Sequence, residues 1–141
     1  MCADKKPSVL VCVTGQYDCD RLIETGARQA EELGYDLHVL CVHTPMNDIS
    51  RLGDEIEYLY RTAKELGADM TIAFNKDAPK FAAGFARKIN ARHLVTGLPD
   101  NRPNGFVLTV HERLPRLQIT MVTKENDCLI YTIEPVEQSL A

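Results

Sequence analysis

The chain has 141 residues, 45% of them hydrophobic, and a formal net charge of −4. That length and apolar content suit one domain, 1–141, that buries its core without staples. With no run of Lys or Arg anywhere in the chain, a nucleic-acid-binding face built on clustered basic side chains is excluded.

The cysteines number five, none in a C-x-x-C pair, and no apolar stretch behind Met1 is long enough for a signal or a membrane span. Reduced thiols in a cytoplasmic protein, with no direct membrane insertion, are therefore expected.

Ser8 to Thr14 is a continuous apolar run with three valines, the pattern of a strand covered on both faces. Gly15 ends it, and Asp18 or Asp20 is positioned to cap the helix that follows. Leu22, Ile23, Gly26, Ala27, Ala30 and Leu33 fall on one stripe of that helix, and Gly34 stops it. Asp36 to His43 reads as the second strand, closed by Thr44-Pro45. Ser50 is a cap for a helix over Arg51 to Leu66, with Leu52, Ile56, Leu59, Ala63 and Leu66 inward and Gly67 as its stop.

Asp69 to Phe74 is the third strand, and Asp77 with Pro79 marks the next helix start. Phe81, Ala82, Phe85, Ala86 and Ile89 form its inner stripe. Arg92 to Thr96 is the fourth strand, and a short helix from Phe106 to Arg113 stops at Pro115. Leu117 to Thr123 is the fifth strand. Regular alternation of strand and helix predicts an α/β domain with a mainly parallel sheet and right-handed crossovers. Cys128 to Ile133 alternates like a further strand, too close behind the fifth for a helical crossover. It should cover the fifth strand's edge within the subunit, or two subunits should pair there.

In an open doubly wound sheet, ligands bind beyond the carboxyl ends of the strands where the strand order reverses. With the first strand flanked by the second and fourth, the crevice falls between Thr14-Gly15-Gln16 and the loop from Gly97 to Gly105. Val42 and His43 line one side, Gly97 and Gly105 let the loop backbone close on an anion, and Arg102 supplies charge. Several enzyme classes lack their signatures. There is no G-x-G-x-x-G after the first strand and no Gly-Lys-Ser/Thr loop. A phospho-receiver would need acids where Gly15-Gln16 and Asn75-Lys76 stand, and a flavodoxin-like loop would need more hydroxyls than Thr14.

The run from Val9 through Thr14 into Arg21-Leu22-Ile23-Glu24-Thr25-Gly26-Ala27 resembles the opening of universal stress proteins, above all the module inside potassium-responsive (Kdp-type) sensor histidine kinases. Val42-His43-Thr44-Pro45, Leu66-Gly67-Ala68 and Gly97-Leu98-Pro99 are similar to the same module. The resemblance covers roughly Ser8 to Thr123. It implies a five-stranded sheet of order 3-2-1-4-5 with helices on both faces, and in many members a homodimer. It also implies an adenine nucleotide (ATP or AMP) near the ends of strands one and two, or in some Kdp-type modules cyclic di-AMP, with no metal beyond nucleotide-bound magnesium. Of the family's G-x2-G-x9-G-(S/T) phosphate loop, Gly97 matches the first glycine, Asp100 takes the place of the second, and Val110-His111 that of the terminal pair.

Bland explanations stand beside these. Cys12 and Cys41 suit core packing. Cys19, near a helix start, reads as a partly exposed thiol and the fastest to alkylate. His93 and His111 read as edge or surface residues, and the four histidines lack metal-ligand spacing. No nucleophile–base pair is recognisable, and the Ser-Gly-Gly-x-Asp-Ser-like loop of the related adenylating pyrophosphatases is absent. The expectation is a non-catalytic regulatory module that binds an adenine nucleotide or cyclic dinucleotide. The alternative is a nucleotide-free interaction module serving a sensor kinase or a potassium-transport regulator.

Overall fold

The computed structural model describes residues 6–14, 17–43, 52–97, 105–125 and 127–131. Its elements run β1 (Ser8–Val13), a 3-10 turn (Tyr17–Cys19), α1 (Asp20–Leu33), β2 (Asp36–His43), α2 (Leu52–Glu65) and β3 (Asp69–Phe74). There follow α3 (Ala78–Lys88), β4 (Ala91–Gly97), α4 (Gly105–Arg113), β5 (Gln118–Val122) and β6 (Cys128–Tyr131). All six strands form one sheet of order β3-β2-β1-β4-β5-β6. The first five are parallel, and β6 is antiparallel to β5, with Ile119 opposite Tyr131 and Val122 opposite Cys128. The α/β fold and strand order are as the sequence and its resemblance predicted, and β5 is covered within the chain.

Period-two alternation in β1 divides the core. Val9, Val11 and Val13 face α1 and α2, where Ile23 and Leu59 meet them with no exposure. Leu10 and Cys12 face α3 and α4, against Ala82, Ala86, Val107 and Val110. A strand buried on both sides needs apolar residues at every position, so the sequence reads as a continuous run. Both long helices stop at glycines in left-handed conformation, Gly34 at φ 70° and Gly67 at φ 80°. Asp77 caps α3 by accepting a hydrogen bond from the Lys80 amide at 3.2 Å, with Pro79 in the first turn.

Three expectations are corrected. Neither Asp18 nor Asp20 caps α1: the 3-10 turn runs straight into the helix, the N-cap position is Cys19, and no side chain caps it. Asp20 instead accepts a hydrogen bond from the Tyr58 hydroxyl at 2.7 Å, tying α1 to α2. Leu33 and Leu66, assigned to buried stripes, are 44% and 40% exposed: Leu33 is the last residue of α1, and Leu66 stands one residue past the end of α2. His93 is neither edge nor surface: β4 lies between β1 and β5, and the half-buried ring stacks obliquely on Tyr35 with centroids 5.9 Å apart. His111 is half-buried on α4. Ser50 as a cap lies outside the described residues.

Candidate functional site

β1 leads into β2 on one side, while β4 lies on the other, so the strand order reverses at the carboxyl end of β1. A cavity of about 390 Å³ opens there, within the roughly 300–1,000 Å³ usual for small-molecule sites. Its inner wall is apolar: Cys12, Leu40, Val42, Ala82 and Phe106 on one face of the sheet, Val13, Cys19 and Leu22 on the other. Its rim is polar, with Thr14, Asp18, Arg21, Thr96 and Lys124. An apolar wall with a few convergent polar groups suits a flat heterocycle carrying a charged substituent.

Of the residues predicted to form the site, Thr14, Val42 and Gly97 line the cavity. Gly105 opens α4 and does not, though the next residue, Phe106, does. His43 lies outside the lining: its half-buried ring sits beside Phe74 with centroids 6.3 Å apart, and its Nε2 is shielded without a hydrogen-bond partner among the described residues. Gly15, Gln16 and Arg102 lie outside the described residues. Neither Gly97 nor Gly105 has a positive φ, and among the described residues a Cβ at Gly97 would meet Leu22 Cδ1 at 3.8 Å. Among the described residues, packing does not demand glycine at either position.

The sequence reading missed Arg21 and Lys124. Arg21 Nη1 donates to the carbonyl of Thr123 at 2.9 Å and that of Val122 at 3.4 Å, which pins the start of α1 to the end of β5. Sequence carried one hint: a cation in a first helical turn is opposed by the helix dipole, so it needs another partner. Lys124 stands two residues beyond β5 and is exposed.

Cys12 and Cys41 are buried as expected, and Cys19 differs from expectation. Cys19 is 6% exposed rather than half open, because the 3-10 turn rotates its side chain into the core, where its Sγ lies 3.6 Å from Thr14 Oγ1. Cys12 and Cys41 are pushed up to about 12, burial being the larger cause. Cys128 is exposed. Among the described cysteines, Cys128 is therefore expected to alkylate first under brief iodoacetamide, with Cys12, Cys19 and Cys41 far behind. Mass spectrometry gives the order, and early labelling of Cys12 or Cys41 would contradict the packing of β1 against β2.

Burial also lowers the pKa of His43 and of His93 below the ordinary 6.5. The folded state then binds fewer protons than the unfolded chain as pH drops through 6.5, so this contribution to stability is whole above that pH and lost below it. The melting temperature is expected to fall on acidification below about pH 6.5. His93→Phe, which keeps a ring against Tyr35, should flatten part of that slope. An unchanged slope would remove His93 from the account.

No protein-family model matches the chain. Among solved structures, a universal stress protein from Archaeoglobus fulgidus in complex with dAMP superposes with a TM-score of 0.64 at 16% identity, over 84% of this chain and 98% of that one. A universal stress protein in complex with cAMP matches with a TM-score of 0.58 at 19% identity, over 85% of this chain and 98% of that one. The fold is that of the universal stress proteins. At these identities the universal-stress likeness is one of architecture. A curated relative adds a sequence likeness: the sensor protein KdpD of Escherichia coli (strain K12) is 28% identical over 116 residues, 79% of this chain and 13% of KdpD. The chain thus resembles a segment of a Kdp-type sensor protein and spans about an eighth of its length, 13%. No helix among the described residues is long and apolar enough to cross a membrane.

Proposed function

We propose that this chain is a non-catalytic regulatory module that binds one adenine nucleotide in the cavity between the ends of β1 and β4. The observation that carries this reading is the cavity itself: about 390 Å³ with an apolar wall and a rim bearing Arg21 and Lys124. It stands at the switch point of a fold whose solved relatives include complexes with dAMP and cAMP. In this reading the base lies against Val42, Leu40 and Phe106, Thr14 faces the ribose, and phosphate points to Arg21 and Lys124 on the rim. A volume of about 390 Å³ suits AMP better than cyclic di-AMP, which is two AMP units joined in a ring. Magnesium would arrive with the nucleotide.

The non-catalytic part rests on the lining. Its described residues include no histidine, and burial holds Cys12 as a thiol. A nucleophile needs a base beside it or a lowered pKa.

A second reading, favoured by the likeness to KdpD, is an input module that acts on a sensor kinase or a potassium-transport regulator through contacts alone, as a homodimer. A thermal-shift screen separates the two. A ligand at a hundredfold excess over its Kd stabilises the native state by about 2.7 kcal/mol, which raises the melting temperature by roughly 5–10 °C for a domain of this size. AMP, ATP, cAMP and cyclic di-AMP, each with magnesium and with chelator, are the panel. A shift with any of them supports nucleotide binding, whereas a flat panel at millimolar ligand leaves the contact module. Steady ATP hydrolysis abolished by a cavity variant would overturn the non-catalytic reading.

A further inference from the structure

We propose that a second hollow, at the opposite end of the sheet, is a docking site for an acidic protein segment that inserts an apolar side chain. This hollow, about 360 Å³, lies where β4 and β5 begin and where α3 and α4 end. β4 separates it from the first cavity: six residue steps from Ala91 to Gly97 span about 20 Å. Four arginines line it, Arg87, Arg92, Arg113 and Arg116, and no acidic residue is among its described lining.

All four arginines are exposed. The ion pairs Lys6–Asp36 and Arg61–Glu57 use none of the four. Two of the four have a structural duty, since Arg87 and Arg113 stand in the last turns of α3 and α4, where a cation offsets the helix dipole. Arg92 in β4 and Arg116 after the α4 turn have none. In a chain of net charge −4, four cations without an acidic partner among the described residues, gathered on one concave surface, create a local field of the opposite sign to the whole.

The rest of the lining selects among anions. Ala86 and Leu117 are buried and Leu114 is half-buried, so the floor is apolar while the four arginines of the lining are exposed. Free phosphate would leave that floor unused. A polynucleotide needs a long basic track, whereas this patch is confined to one hollow of a net-acidic chain. A peptide uses both parts: carboxylates take the planar forks of arginine in paired hydrogen bonds, and an aliphatic side chain fills the floor. An apolar anchor ringed by charge is also the usual layout of an interface centre and its rim.

The test uses the full chain and a fluorescein-labelled nonapeptide in which glutamates flank a central pair of leucines, followed by anisotropy. The double variant Arg92→Gln with Arg116→Gln is expected to bind the peptide about tenfold more weakly. Both positions are exposed and outside the helices, so circular dichroism and melting should stay as in the parent. Replacing the peptide's leucines by serine should weaken binding about fivefold or more. Full-strength binding by the double variant overturns the proposal. Equal affinity for the serine peptide also overturns it; with inorganic tripolyphosphate or an RNA oligonucleotide competing equally well, the hollow would be a plain anion site.

Discussion

Replacing Gly26 with leucine is expected to lower the melting temperature by roughly 10 °C, from a loss of about 3 kcal/mol. α1 crosses the sheet at Gly26 with its backbone against β1. A Cβ there would overlap Cγ2 of Val11 and press on Leu37 Cδ1 at 3.3 Å. Val11 is β-branched and fully buried, so its methyl has no alternative rotamer to escape to. Helix propensity argues the other way, since glycine within a helix costs about 1 kcal/mol relative to alanine. Gly26→Ala therefore tests which effect wins. The steric account expects net destabilisation, and a variant more stable than the parent would show that α1 can lift from the sheet without penalty.

Arg21→Met should produce the second large effect, and it should reach both stability and the cavity. Two carbonyl acceptors lose a charged donor, worth about 1.5–3 kcal/mol. Removing a cation from the start of α1 returns about 0.3–1 kcal/mol through the helix dipole. The difference, about 1–2 kcal/mol, corresponds to a melting temperature lower by roughly 5 °C. Because the same side chain lines the cavity, affinity for a phosphate-bearing nucleotide should fall about tenfold, while adenosine should lose less. Arg21→Lys keeps the charge without the fork and should recover affinity more than stability. Equal loss for AMP and adenosine would show that Arg21 shapes the cavity without facing phosphate.

These residues show what sequence could and could not disclose. β1 was legible because a doubly covered strand has no polar positions to blur it, and α3 because Asp77 and Pro79 announce its start. Cys19 was misread because a 3-10 turn, which no pattern in Tyr17-Asp18-Cys19 marks, rotates it inward. Leu33 and Leu66 have the right period, but each stands where its helix ends, and both are exposed. At the site, the switch-point rule located Thr14, Val42 and Gly97 because strand ends are a matter of topology. Arg21 and Lys124 lie 103 positions apart and meet only through the placement of β5 beside β4. Their convergence is a tertiary fact with no local signature. His43 has its strand end as expected, yet its ring sits beside Phe74.

The central claim is that one adenine nucleotide occupies the cavity between β1 and β4, and calorimetric titration of AMP into the parent chain and into Val42→Phe tests it most directly. Val42 is half-buried and lines the cavity, so the larger ring narrows the space for a base with little disturbance of the sheet. The expected result is one site per chain in the parent and binding at least about tenfold weaker in Val42→Phe, at similar ligand-free melting temperature. No heat with AMP, ATP, cAMP or cyclic di-AMP, or the same Kd in both chains, would contradict the claim.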